Sequence, residues 1–99
     1  MSYDVTVGTK EFNYTANMGQ FFADFLVHPQ DMHGEPPYEV AYRISLALGN
    51  IARFPLESLS LYFDDPHGWG NVVGATRFLF EVYMACITEP DVDEVEVSW

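Results

Sequence analysis

Cations are scarce in this sequence: Lys10, Arg43, Arg53 and Arg77 stand against 15 Asp and Glu, for a formal charge of −11. A phosphate backbone or an anionic membrane surface repels such a chain, which disfavours direct nucleic-acid binding and membrane attachment. Cysteine is nearly absent. With Cys86 alone, no internal disulfide can form, so a reducing compartment is the expected setting. Long apolar runs are missing too, every one being broken by a charge or a glycine well before the ~20 residues that cross a bilayer. The start, Met1-Ser2-Tyr3-Asp4, has neither the basic nor the apolar part of a secretory leader, so a cytoplasmic location is expected. Gly8, Gly68 and Gly70 form no phosphate-binding loop, since none stands between a buried strand and a helix with a lysine nearby. No cofactor is expected.

What the chain does have is apolar bulk, 48% of 99 residues, enough for one core and one domain spanning 1–99. Tyr3-Asp4-Val5-Thr6-Val7 alternates apolar and polar, and Phe12-Asn13-Tyr14-Thr15 resumes the alternation after Gly8-Thr9-Lys10-Glu11, which predicts a hairpin. Asn17 is then read as the N-cap of a helix whose apolar face is Met18, Phe21, Phe22, Phe25 and Leu26, ending near Val27 or His28 because Pro29 follows. A loop from His28 to Pro37 leads to a second helix, with Pro36 and Pro37 at its start. Its stripe is Val40, Ile44, Ala47, Leu48 and Ile51; Glu39, Arg43, Asn50 and Arg53 point away, and it ends at about Arg53.

Leu56 to Phe63 is read as a short helix, and Asp64-Asp65-Pro66-His67-Gly68-Trp69-Gly70 as a turn. Asn71 to Ile87 is helical with two apolar faces. Val72, Thr76, Leu79, Tyr83 and Cys86 or Ile87 form one; Val73, Phe80 and Met84 form the other, which is left for the core or for a partner chain, such as a second copy in a homodimer. Pro90 closes that region. Val95, Val97 and Trp99 alternate with Glu94, Glu96 and Ser98 as a last strand that pairs with the hairpin. The expected fold is α+β, a small antiparallel sheet of the N-terminal hairpin and the C-terminal strand packed on three to four helices.

The run Asn13-Tyr14-Thr15-Ala16-Asn17-Met18, with His67-Gly68-Trp69-Gly70-Asn71 much later, resembles a family of small uncharacterised proteins of actinobacteria and their phages. There an Asn-x-Thr-x-Asn segment precedes the first helix and an Asn-Gly-Trp-Gly turn opens the last. Here His67 replaces the Asn, and the Phe21-Phe22 pair replaces a Trp. The resemblance runs from Phe12 to the acidic end. It implies a fold and a phage or actinobacterial source, but no mechanism.

Two loops hold all three histidines, with His28, Asp31 and His33 in one and Asp64, Asp65 and His67 in the other. Imidazole and carboxylate are metal ligands, so a small metal- or ligand-binding protein or enzyme is one reading, though no recognised ligand spacing is present. Common exposed-loop composition is the competing one, and no metal is expected. Cys86 lies among Tyr83, Met84, Ala85 and Ile87, and is expected to be a buried structural thiol. Trp69 between glycines is either an anchor for a partner or a wedge tucked onto the core, and the wedge is favoured. Asn13, Thr15 and Asn17 are expected to satisfy local backbone groups. Glu89, Asp91, Asp93, Glu94 and Glu96 crowd the C-terminal end, where they keep the edge strand unpaired or steer a basic partner. The function that fits is a small acidic protein-interaction module of the inhibitor, immunity or anti-defence type, with Trp69, Asp91, Asp93, Glu94 and Glu96 as its partner-binding residues. Mimicry of DNA by carboxylates is a narrower variant.

Overall fold

The computed structural model describes residues 1–89 and 91–99, so Pro90 lies outside the described residues. Strands β1 (Ser2–Val7) and β2 (Lys10–Thr15) form the hairpin, α1 (Gly19–Asp24), α2 (Pro37–Ile51), α3 (Leu56–Phe63) and α4 (Val72–Thr88) follow, and β3 (Glu96–Ser98) closes the chain. The sheet is antiparallel in the order β2-β1-β3, which bears out the α+β expectation and brings the two chain ends together. Val7 pairs with Lys10, so the connection is only Gly8-Thr9, tighter than the alternation suggested, with Gly8 at a φ of 62°. Tyr3, Val5 and Val7 point into the core, joined by Val95 and Val97, while Asp4 faces water.

Phe21 and Phe22 on α1 are fully buried. The Phe22 ring lies 6.1 Å from Tyr3, 6.3 Å from Tyr14 and 5.7 Å from Phe78, so one side chain joins β1, β2 and α4. A six-residue helix does not hold in water by itself; these two rings hold α1. The expected cap is corrected here. Asn17 does not cap a helix; the chain first makes a 3-10 turn over Ala16–Met18, capped by the Thr15 hydroxyl accepting from the Asn17 amide at 3.2 Å. α1 also stops earlier than expected. Val27 donates to the Phe22 carbonyl and Leu26 to that of Ala23, the bonding of a Schellman end, with Leu26 at the left-handed position (φ 62°). That places Leu26 in solvent, off the apolar face assigned to it.

α2 buries Val40, Ile44, Ala47 and Ile51 as expected, with Leu48 half-buried and Arg43 3.3 Å from Glu39. α3 forms over its expected span but buries only Leu59. Asn71 caps α4, its side chain accepting from the Gly74 amide at 2.7 Å. Val72, Ala75, Phe78, Leu79, Val82, Ala85 and Cys86 face the core, while Val73, Phe80, Met84 and Ile87 stand in solvent. α2 and α4 run antiparallel, since Ile51 and Ala52 at the end of α2 share a groove with Val72, Val73 and Thr76 at the start of α4.

The Tyr14 hydroxyl ties the sheet to α4. It accepts from the Asn71 amide and donates to the Asn71 carbonyl, both at 3.1 Å. Gly74 makes room for it, because a Cβ there would collide with that oxygen. Gly74→Ala should therefore cost about 1–3 kcal/mol despite the better helix propensity of Ala. In Tyr14→Phe the oxygen is gone, and the double variant should be clearly more stable in urea titration than the sum of the two single losses. Leu26→Gly should raise stability by about 1 kcal/mol in the same measurement, since a left-handed Leu costs about 1–2 kcal/mol and its exposed side chain returns little.

Candidate functional site

The turn that carries Trp69 is assembled by two carboxylates. Asp64 accepts from the Val72 amide at 2.8 Å, and Asp65 accepts from the amides of His67 (2.9 Å) and Trp69 (3.3 Å). Across the turn, Asp65 donates to the Gly70 carbonyl at 3.0 Å and Asn17 donates its side-chain amide to the Trp69 carbonyl at 3.4 Å. Gly70 has a φ of 143°, and a Cβ there would lie 2.7 Å from Thr15. The residue that wedges against the protein is thus Gly70, through its bare backbone. Trp69 is 67% exposed, beside the His67 ring at 5.5 Å, which overturns the expectation of a tucked indole. Two adjacent positions held to the protein, Gly70 inward and the Trp69 carbonyl toward Asn17, leave the indole only the solvent side.

The acidic end is held elsewhere. Asp91, Asp93, Glu94 and Glu96 are all exposed, and Val92 packs at Gly8, where a Cβ would lie 3.0 Å from it. Gly8 is the closed end of the hairpin, whereas Trp69 sits by Thr15 and Asn17 at its open end. A six-residue strand, roughly 20 Å, separates the two halves of the expected site. The outward edge of β3 is closed by backbone and imidazole rather than by charge. Gly34 donates to the Val95 carbonyl and Val95 to that of Glu35, both at 2.8 Å, and the Val97 amide donates to His33 Nδ1 at 3.0 Å. Trp99 lies past the strand, 58% exposed and edge-on to His33, not on the inner face its alternation suggested.

The histidines are each engaged singly. His28 Nδ1 accepts from the Gln30 amide at 3.3 Å, so its Nε2 carries the proton and donates to the Tyr3 hydroxyl at 3.1 Å. Among the described residues no three His, Cys, Asp or Glu side chains come together as metal ligands, so the two-loop site is not assembled. No described helix is long and apolar enough to cross a membrane. Asn13, expected to serve local backbone, instead bridges to the Ser2 and Asp4 side chains across the hairpin. The chain matches no protein-family model, no curated protein and no solved structure. What it can do is therefore read from its own surface.

The feature missed in the sequence is on α2. Tyr38, Tyr42, Ser45, Gly49 and Ala52 recur at alternating spacings of four and three, all exposed and all uncharged. The spacing is present in the sequence, on a third face of α2 apart from the buried stripe and the charged face.

Cys86 is buried as expected, and burial pushes its thiol from 9.0 up to about 11. Burial raises the Tyr3 phenol as well. In both cases the folded chain keeps a proton that the unfolded chain releases sooner, so stability is lost as pH rises from 9 toward about 11 through Cys86, and above 10 through Tyr3. The urea midpoint should fall between pH 8 and pH 10.5, and fall less in Cys86→Ala. Native Cys86 should react with a thiol reagent at pH 8 far more slowly than the unfolded chain.

Proposed function

We propose that this chain is a non-enzymatic interaction protein that binds and modulates a protein partner, of the inhibitor, immunity or anti-defence type, and that it is encoded by a phage or prophage as its family resemblance implies. The observation that carries this reading is the Trp69 indole, exposed on a turn whose backbone is already fixed. A preorganised aromatic anchor loses little freedom on binding and is the kind of residue that dominates interfaces. The exposed carboxylates of Asp91, Asp93, Glu94 and Glu96 support a basic partner, which they would steer at long range. Because the two features lie at opposite ends of the hairpin, the indole anchors and the acids attract. Self-association through the last helix is a second part of the reading, supported by its exposed Val73, Phe80 and Met84. A metal-dependent alternative has less support, since the Asp64 and Asp65 carboxylates already accept from backbone amides.

Tagged wild type should capture a defined protein from host lysate at low salt. Trp69→Ala should weaken that capture at least about 30-fold, the effect of an anchor residue. Replacing Asp91 and Asp93 with Asn, and Glu94 and Glu96 with Gln, should slow association and flatten its salt dependence. Capture indifferent to both changes, or no capture at all, would sink the reading.

A further inference from the structure

In a chain of charge −11, one set of outward helix positions is uncharged, bordered on α4 by exposed Arg77 and by Glu81, which shares a groove with Phe80 and Met84. On α2 it consists of Tyr38, Tyr42, Ser45, Gly49 and Ala52, and on α4 of Val73, Thr76, Phe80, Tyr83 and Ile87, with Met84 beside them. Both sets step by alternating threes and fours, the spacing of a helical packing seam. The two seams adjoin, since Ala52 and Val73 line one groove, and the antiparallel run of the helices sets Ser45 level with Phe80.

We propose that this face is covered by a second copy of the same chain, related by a two-fold axis that crosses α2 at Ser45 and α4 at Phe80. The inference deepens the self-association part of the preceding reading and rests on it. Its first support is charge: two strongly acidic copies can meet only where neither carries a carboxylate, and a basic partner gains nothing there.

Its second support is shape. Along α2 the bulk is all at the beginning, in Tyr38 and Tyr42, and the small residues all at the end, in Gly49 and Ala52. An antiparallel α2 from the second copy, centred on Ser45, lays Tyr38 over Ala52 and Tyr42 between Leu48 and Gly49, bulk toward recess in both directions. The same axis on α4 sets Phe80 against Phe80, Val73 against Ile87 and Thr76 against Met84. One operation thus matches both helices, which is the self-complementarity an isologous interface requires. Area is the third support. Tyr38, Tyr42 and Phe80, at 75%, 61% and 51% exposed, with Val73, Met84 and Ile87, offer on the order of 600 Å² per copy, given 150–250 Å² for an aromatic side chain. With the small residues between them this approaches the ~800 Å² per partner of a standard interface.

Sedimentation equilibrium of the wild-type chain should give twice the chain mass at micromolar concentration, with tighter association as salt screens the acids. Phe80→Glu and, at the other seam, Ser45→Glu should each weaken the dimer at least about 30-fold while circular dichroism stays native. In a Cys86→Ala background, Ser45→Cys should cross-link to a dimer under mild oxidation, and Asn50→Cys, on another face of α2, should not. A monomeric wild type, or a dimer untouched by both glutamates, would overturn the inference. Partner capture is read separately through Trp69→Ala, so a monomer that still binds its partner removes the dimer alone, and a dimer that captures nothing removes the partner reading alone.

Discussion

Everything in this fold depends on where the Phe22 ring sits. It contacts Tyr3 of β1, Tyr14 of β2, Phe21 of α1 and Phe78 of α4, at centroid separations from 5.7 to 6.3 Å. A three-stranded sheet with one short strand, and a helix of one and a half turns, are each too small to persist alone. Closing an aromatic junction between them removes from water the surface that neither could bury by itself, and edge-on ring packing adds orientation to the burial. The Tyr14 hydroxyl then fixes α4 over the sheet at Asn71, and Gly74 admits it by lacking a side chain.

Around that junction, the irregular segments are fixed by side chains that serve backbone amides. Asp65 organises the Trp69 turn, Asp64 and Asn71 start α4, Thr15 starts the 3-10 turn, and His33 receives the Val97 amide at the edge of β3. An acceptor placed beside an otherwise unpaired amide removes the cost of leaving that donor unsatisfied, so loops become as definite as strands. The consequence for function is that the exposed indole and the closed edge of β3 are both products of polar contacts, made within the turn by Asp65 and across the chain by Asn17 and His33.

The surface divides by charge. The acids crowd the C-terminal end and the loops, with single ones on each helix (Asp24, Glu39, Glu57 and Glu81), whereas Tyr38, Tyr42, Ser45 and Gly49 of α2 and Val73, Phe80, Met84 and Ile87 of α4 are exposed and uncharged. On the proposed reading, the crowded acids act at long range on a basic surface while the uncharged helix positions make contact.

The sequence by itself determined the elements: the period-two alternation of β1, the stripe on α2, the Asn71 cap of α4 and the burial of Cys86 all follow from local spacing. It also determined the net charge of −11. Only the tertiary structure decided what faces outward. Trp69 was read as a wedge because flanking glycines permit either direction, and what turned it to solvent was the close seat of Gly70 against Thr15, more than fifty positions away in the chain. Leu26 left its helical face because Phe22 and Val27 closed the helix early, and His33 became part of the sheet edge through Val97. The seats of Gly70 and His33 rest on contacts between residues far apart in sequence, which periodicity and local propensity do not encode; the early end of α1 is local, and an apolar face drawn through Leu26 concealed it.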